Sequence, residues 1–370
     1  MRLRYLVGRY SAFPSVFAFE FFNEVDVTDN FSADTQAAWF SRMASYVRSI
    51  DGFNHPISTS FGSGRVYPEV WQLQSADFSM VHSYGASDPL DAANDVQYWS
   101  NRLSKAYRKP TFVAEFGTGP AGAGEAEKQD TTGVSLHNGL WSSIVSVSAL
   151  GASTWFWDSW VQHDDLYSQF EAASKFVATV PWQDFRWAAL GSDVKVCKDV
   201  TPGGNYTCAQ QKSFGQCKSS NKWMVGRCCR TCWNCSQACT GPPAHRGVEI
   251  VPHVRLLGMI GQELAAAHRH SDARQVATMA VLWIQNTNNT WGQQNGSTTA
   301  EKTPLAGVKL GQLALPGEVR GKFEVTYINT TTGGETRGKQ VICQQGSAQC
   351  VLEDVPEFTT DVAVKLSAHV

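Results

Sequence analysis

Two glutamates stand just past short apolar runs: Val16-Phe17-Ala18-Phe19 leads to Asn23-Glu24, and Thr111-Phe112-Val113-Ala114 leads to Glu115. Apolar runs of this length form strands buried on both faces of a parallel sheet. In a barrel of parallel strands, side chains beyond the carboxyl ends point into the mouth where chemistry occurs. Glu24 and Glu115 are 91 positions apart, so only a fold that gathers neighbouring strand ends can pair them. Once paired, one carboxyl can donate a proton while the other acts as nucleophile or base. Cleavage of a glycosidic bond requires that combination.

The elements that must position these groups repeat along residues 1–190. Arg2–Tyr10 reads as the tail of a helix feeding the first strand. After Asp26, Asp34 caps a helix with apolar positions Ala38, Met43, Tyr46, Val47 and Ile50, and Gly52 ends it. His55–Ser60 and Asp77–His82 read as the next strands. A helix follows with Val96, Trp99, Leu103 and Tyr107 on one side. The strand ending in Glu115 leads into a Gly/Ala-rich loop, 117–124, and a helix through Leu136, Leu140, Ile144 and Val147. Ser153–Asp158 is the fifth strand, and Leu166–Val180 closes the region as a helix. Strands alternating with helices at this period predict an α/β barrel.

The ordered set NEVD, STSF, VHSYG, VAEFG, LHNGLW and STWFWD resembles glycoside hydrolase clan A, in particular the cellulase-like and mannanase-like group around family 5. That resemblance implies a retaining hydrolase with Glu24 as general acid/base and Glu115 as nucleophile. It assigns Asn23 to the sugar 2-hydroxyl and Tyr84 to the nucleophile, with His82 beside it. Trp155 or Trp157 supplies the aromatic platform; alternation along the expected strand puts both on one face and leaves the choice open. Asp26, Asp158 and His137 recur in the resembled pattern in structural or supporting positions. In that clan the Asn-Glu pair ends the fourth strand, so the resemblance implies a partial (β/α)8 TIM barrel comprising about the last five strand-helix units. The family's site Arg and His from earlier strands have no counterpart here. A barrel lacking three strands is expected to be inactive or nearly so and poorly soluble.

From Cys197 to Cys239 the character changes. Eight of the ten cysteines fall there, a disulfide-framework density. The order Cys197, Asp199, Cys208, Cys217, Met224, Cys228, Cys232, Cys235 resembles the ShK-toxin-like six-cysteine module. The resemblance implies pairing of Cys197–Cys235, Cys208–Cys228 and Cys217–Cys232. Cys229 and Cys239 depart from the pattern and are left to pair with each other. Zinc held by Cys228, Cys229, Cys232 and Cys235 is the alternative. The even cysteine total and the six Asn-x-Ser/Thr sequons, at Asn30, Asn205, Asn234, Asn288, Asn295 and Asn329, favour disulfides in a secreted glycoprotein.

Beyond Gly247 strand signals dominate: Ala277–Gln285, Leu305–Leu313, Lys322–Ile328 and Val362–Leu366, with a possible helix at Gln262–His268 and a turn at Thr332-Gly333-Gly334. Cys343 and Cys350 are placed to staple a hairpin. The expected organisation is therefore a barrel portion at 1–190, a cysteine-rich module at 193–241 and an all-β sandwich at 245–370. A net charge of −2 gives no electrostatic reason to expect nucleic acid or an anionic membrane as partner, and no apolar run reaches the roughly 20 residues of a membrane span. Arg2–Tyr10 lacks the apolar centre of a signal peptide, so the expected secretion places that signal upstream. The expected partner is a β-linked polysaccharide or oligosaccharide, with no cofactor, no metal, and a monomeric state if the barrel is complete. The competing class is a non-catalytic binding protein derived from a hydrolase.

Overall fold

The computed structural model describes residues 2–62, 64–84, 91–117, 130–190, 195–197, 208–214, 216, 248–250, 254–263, 279–286, 289, 310, 313–315, 319, 321–343 and 350–368. The chain divides into two units, Met1–Phe170 with Thr290–Lys302, and Glu171–Asn289 with Thr303–Val370. The first is α/β and the second is rich in antiparallel β-sheet. Among the described residues no helix is long and apolar enough to cross a membrane.

In the first unit, α1 (Arg2–Tyr10) precedes β1 (Phe19–Glu20), α2 (Ala33–Ile50), β2 (Ile57–Ser58) and a short α3 (Pro68–Trp71). Then come β3 (Ser79–Ser83), α4 (Ala92–Tyr107), β4 (Thr111–Phe116), α5 (Val134–Ile144) and β5 (Ala149–Thr154). α6 (Tyr167–Ala178) follows. β1 pairs in parallel with β2, and β3, β4 and β5 form a second parallel sheet in chain order. The two are stitched where Asp77 N–H donates to Ile57 O (2.9 Å) and Asp77 Oδ2 accepts from Ile57 N–H (2.6 Å). Ser58 Oγ adds a bond to Phe78 O (2.7 Å). β1 and β2 thus run parallel in one sheet and β3, β4 and β5 in another, with hydrogen bonds joining β2 to the residues that lead into β3.

Three local expectations are corrected. Val16–Phe19 is not a strand buried on both faces, because Val16 N–H closes a turn onto Phe13 O (3.0 Å) and Phe17 is 60% exposed. β1 has β2 as its one strand neighbour among the described residues. α2 is capped by Ser32, extended at φ −141, whose hydroxyl accepts from Thr35 N–H; Asp34 lies inside the first turn, where negative charge suits the helix dipole. Its core face is Phe40, Ala44 and Val47, whereas Ala38, Tyr46 and Ile50 are exposed. The last strand ends at Thr154, and Trp157–Val161 form a π-helical turn closed by Gln162 N–H on Trp157 O (2.8 Å). Strand alternation therefore does not govern Trp155 and Trp157.

The second unit contains β6 (Phe185–Ala189), β7 (Lys195–Cys197), α7 (Cys208–Ser213), β8 (Val248–Ile250), β9 (Val254–Glu263) and β10 (Met279–Asn286). It continues with β11 (Leu313–Leu315), β12 (Gly321–Ile328), β13 (Glu335–Arg337), β14 (Val341–Cys343), β15 (Cys350–Leu352) and β16 (Asp361–Ala368). One sheet runs β13-β12-β16-β10-β9-β6, with β14 also on β12; the other runs β15-β11-β7-β8. Leu282, Phe323 and Val364 from the first join Leu313, Leu315 and Leu352 from the second in one apolar cluster. On β12 the alternation is direct: Phe323, Val325 and Tyr327 are buried, while Lys322 and Glu324 face water. Gln262 and Glu263 end strand β9 instead of starting a helix, and 264–268 lie outside the described residues, as do 305–309 of the expected strand before β11.

β7 and β8 pair antiparallel, Cys197 opposite Val248, so the cysteine-rich stretch leaves and rejoins adjacent strands of one sheet. Cys217, Cys228, Cys229, Cys232, Cys235 and Cys239 lie outside the described residues, and with them the expected pairings. Cys343 is disulfide-bonded; the side chain of Cys350, its expected partner, lies outside the described set.

One close approach locks α5 onto the strands. A Cβ at Gly139 would lie 2.5 Å from the tip of the Phe116 ring, and Phe116 is 1% exposed and cannot retreat. Gly139→Ala is expected to destabilise the first unit by about 1–3 kcal/mol, read as a lower urea midpoint. An unchanged midpoint would show that α5 is not held this tightly against β4.

Candidate active site

The residues predicted to do chemistry converge at the carboxyl ends of β1, β3 and β4. His82 stands opposite Glu115 in the β3–β4 register, although Val81 stands opposite Val113. The extra residue, Ala114, is a bulge in β4, and the β4–β5 register shifts over the same stretch. Side chains alternate with a period of two, so a one-residue insertion rotates everything beyond it to the other face. The bulge puts Glu115 beside His82.

Glu24 arrives differently. Its backbone is left-handed (φ 45, ψ 50) at the start of a 3-10 turn, Val25–Val27, a conformation that costs a non-glycine residue about 1 kcal/mol. The segment before it is tied to the end of β2: Thr59 Oγ1 donates to Phe22 O (2.7 Å), and Ser60 N–H donates to the same oxygen (3.2 Å). Glu24 N–H donates to Ser60 Oγ (3.1 Å). These bonds pin the peptide that the strained conformation would otherwise release.

The result is a compact cluster. His82 Nδ1 lies 2.8 Å from Glu24 Oε1 and 3.2 Å from Glu115 Oε2. The His82 side chain is 1% exposed, against 12% for Glu115 and 26% for Glu24. Tyr84 OH donates to Glu115 Oε2, and its ring meets Phe156 edge-on. Asn23 is exposed, with Oδ1 3.3 Å from Ser60 Oγ. Trp155 and Trp157, just beyond β5, are 57% and 61% exposed.

The arrangement admits two chemistries. A hydrogen shared between His82 Nδ1 and two carboxylates holds an acid–nucleophile pair at fixed spacing. The same three side chains each offer a ligand atom within 4.8 Å of the others, a donor set that suits a divalent ion such as zinc.

The other singled-out residues sit elsewhere. His137 is buried on α5 with Nδ1 2.7 Å from Gln169 Oε1. Asp158 is exposed and accepts from Ser159 N–H (2.7 Å). Asp26 is buried as a loop anchor, accepting from Gly62 N–H (2.8 Å), Arg65 Nη1 (3.0 Å) and Tyr67 OH (3.3 Å). That loop returns to the site, since Gly64 N–H donates to His82 O (2.9 Å).

No protein-family model matches the chain. It is similar to the putative mannan endo-1,4-beta-mannosidase 9 of Oryza sativa subsp. japonica, 28% identical over 138 residues, 29% of this chain and 32% of that protein. It is also similar to mannan endo-1,4-beta-mannosidase 2 of the same organism, 29% identical over 149 residues, 32% of this chain and 34% of that protein. The chain spans about a third of the length of the curated relatives it matches. Among solved structures it aligns with a glycoside hydrolase family 5 protein from Bacteroides vulgatus ATCC 8482 at TM-score 0.48 and 11% identity, over 99% of this chain and 64% of that one. The likeness is to glycoside hydrolases.

Sequence reasoning passed over Glu20 and Ser60. Ser60 Oγ donates to Glu20 Oε1 (2.6 Å) while accepting from Glu24 N–H, so one hydroxyl joins both glutamates. The available signal was the spacing: Glu20 and Glu24 are two strand periods apart in one run.

Asp26→Ala strands the Gly62 N–H and the Tyr67 hydroxyl, and is expected to cost about 1–3 kcal/mol in chemical unfolding. Asp26→Asn keeps an acceptor for Gly62 and should lose less. Equal losses in the two variants would show that the charge, not the acceptor, anchors the loop.

Proposed function

We propose that these strand ends form the active site of a retaining glycoside hydrolase acting on β-1,4-linked mannan or a related β-linked polysaccharide. One observation carries the reading: oxygens of Glu24 and Glu115 lie within 4.8 Å of each other around His82 Nδ1. That spacing is near the roughly 5–5.5 Å of retaining pairs and short of the roughly 6.5–9.5 Å that admits a water in inverting pairs. Similarity to the two rice mannosidases, over about a third of their length, supports mannan as the first substrate to test.

In this reading Glu115, oriented by Tyr84 and His82, attacks the anomeric carbon and forms a glycosyl-enzyme. Glu24, the more exposed of the two, protonates the departing glycosidic oxygen. It then takes a proton from the water that releases the sugar. Asn23 presents its side chain to the sugar 2-hydroxyl, and Trp155 or Trp157 offers an exposed ring face. The parallel strands are read as part of a (β/α)8 barrel, the cysteine-rich stretch as a disulfide-bonded ShK-like module, and the antiparallel sheets as an accessory sandwich. Cysteine density and six sequons support a secreted glycoprotein.

The test is turnover of the full chain on β-mannan and β-glucan, with product anomers followed by NMR. First-formed β-anomer, with kcat lowered about 10²–10⁴-fold in Glu24→Gln and at least as much in Glu115→Gln, supports the reading; first-formed α-anomer overturns the assigned pair. Chelator should leave turnover unchanged, and a loss restored by zinc would select the metal-assisted alternative. Polysaccharide binding without turnover would select the non-catalytic class.

A further inference from the structure

We propose that Glu20 is a positioning residue for the carboxylate pair, acting through the Ser60 hydroxyl. The inference rests on the hydrolase reading above and adds a residue to that site. Ser60 is fully buried, and its single hydroxyl hydrogen is directed to Glu20 Oε1 at 2.6 Å. That leaves a lone pair aimed at Glu24 N–H, 3.1 Å away. The alternative acceptor, Asn23 Oδ1, is farther at 3.3 Å. Glu20 thus fixes the rotamer in which Ser60 accepts from Glu24, and that bond holds the left-handed peptide from which the Glu24 side chain springs.

The strand register supports the link. Glu20 is paired with Ser58 across β1 and β2, so Ser60, two residues on, follows on the same face. Electrostatics place the Glu20 carboxyl close to the pair. Glu20 is exposed as a residue, but loss of water around its carboxyl raises it above the ordinary glutamate range. The Ser60 bond and His82 pull it back, and the charges of Glu115 and Glu24 push it up. The Glu20 carboxyl therefore senses Glu24, Glu115 and His82, and the Ser60 hydroxyl is the neutral joint between Glu20 and Glu24.

Two variants separate the acceptor from the charge. Glu20→Ala removes the acceptor, and Ser60→Ala removes the joint; each is expected to lower kcat about 10–100-fold with KM changed less than about twofold, since displacement of a catalytic group acts on the chemical step. Glu20→Gln keeps a carbonyl oxygen for the hydroxyl and should recover kcat to within about threefold of wild type. The double variant Glu20→Ala/Ser60→Ala should lose little more than Ser60→Ala alone, because the two act as one unit. A Glu20→Ala variant with unchanged kcat, losses that multiply in the double variant, or a Glu20→Gln variant as slow as Glu20→Ala would each overturn the proposal.

A second readout does not need turnover. The Glu20 carboxyl, followed by carbon NMR titration of the full chain, should titrate above ordinary glutamate, higher still in Ser60→Ala, and lower in Glu115→Gln. A midpoint that moves in neither variant overturns the inference. Absence of turnover in the wild-type chain would defeat the hydrolase reading alone, and this titration would still decide whether Ser60 couples Glu20 to the pair.

Discussion

The site depends on a single buried nitrogen. Two carboxyl groups with oxygens within 4.8 Å of each other repel when both are ionised, and His82 Nδ1 sits where it can hydrogen-bond either. An almost fully buried imidazole is costly unless its polar atom is matched. Removing the imidazole takes away the group that bridges the two glutamates, whereas removing either glutamate leaves Nδ1 with the other alone. The backbone of His82 is held by its ladder with β4 and by Gly64 N–H from the loop after β2, whose start Asp26 anchors.

The glutamates meet this nitrogen by two different backbone devices. Glu115 is brought round by a bulge in a well-paired strand, flanked on both sides by parallel neighbours. Glu24 lies beyond a two-residue strand with one neighbour among the described residues, and is held by side-chain bonds from Thr59 and Ser60. Rigid elements set directions more tightly than loops do, and a loop gains precision only when its polar groups are satisfied from outside. Thr59 and Ser60, just past β2, supply that satisfaction, and both are fully buried.

The second unit follows different physics. Its strands are antiparallel, with β10 buried along its whole length at the centre and β12 alternating toward a shared core. Its buried Asp361 is matched, accepting from Trp283 Nε1 and from Thr330 Oγ1 at 2.7 Å. The cysteine-rich stretch branches from adjacent strands of its smaller sheet, so its ends are held together at β7 and β8. That is an economical way to carry a segment of some fifty residues, because the paired strands already close the loop.

Much of this was readable in the linear chain. Apolar runs ending in His82 and Glu115 mark strand ends, because burying a parallel strand demands a continuous apolar stretch, whereas the run before Glu24 holds only the two-residue strand Phe19–Glu20. The helical spacing of Val96, Trp99 and Leu103 named the buried side of α4, where all three are buried. Spacing failed for α2, whose exposed face also carries apolar residues, and for Trp155 and Trp157, where the strand stops short of them. His137 carries the right chemistry for a site but lies against Gln169, a distinction that residue type cannot make. The sequence by itself determined which residue types stand at the ends of which elements, since periodicity is a local property of the chain. Only the tertiary structure decided that Ala114 is the extra residue turning Glu115 toward His82, and that Glu20 reaches Glu24 through Ser60. Register and hydrogen-bond partnership are set between segments distant in sequence, so no single segment encodes them.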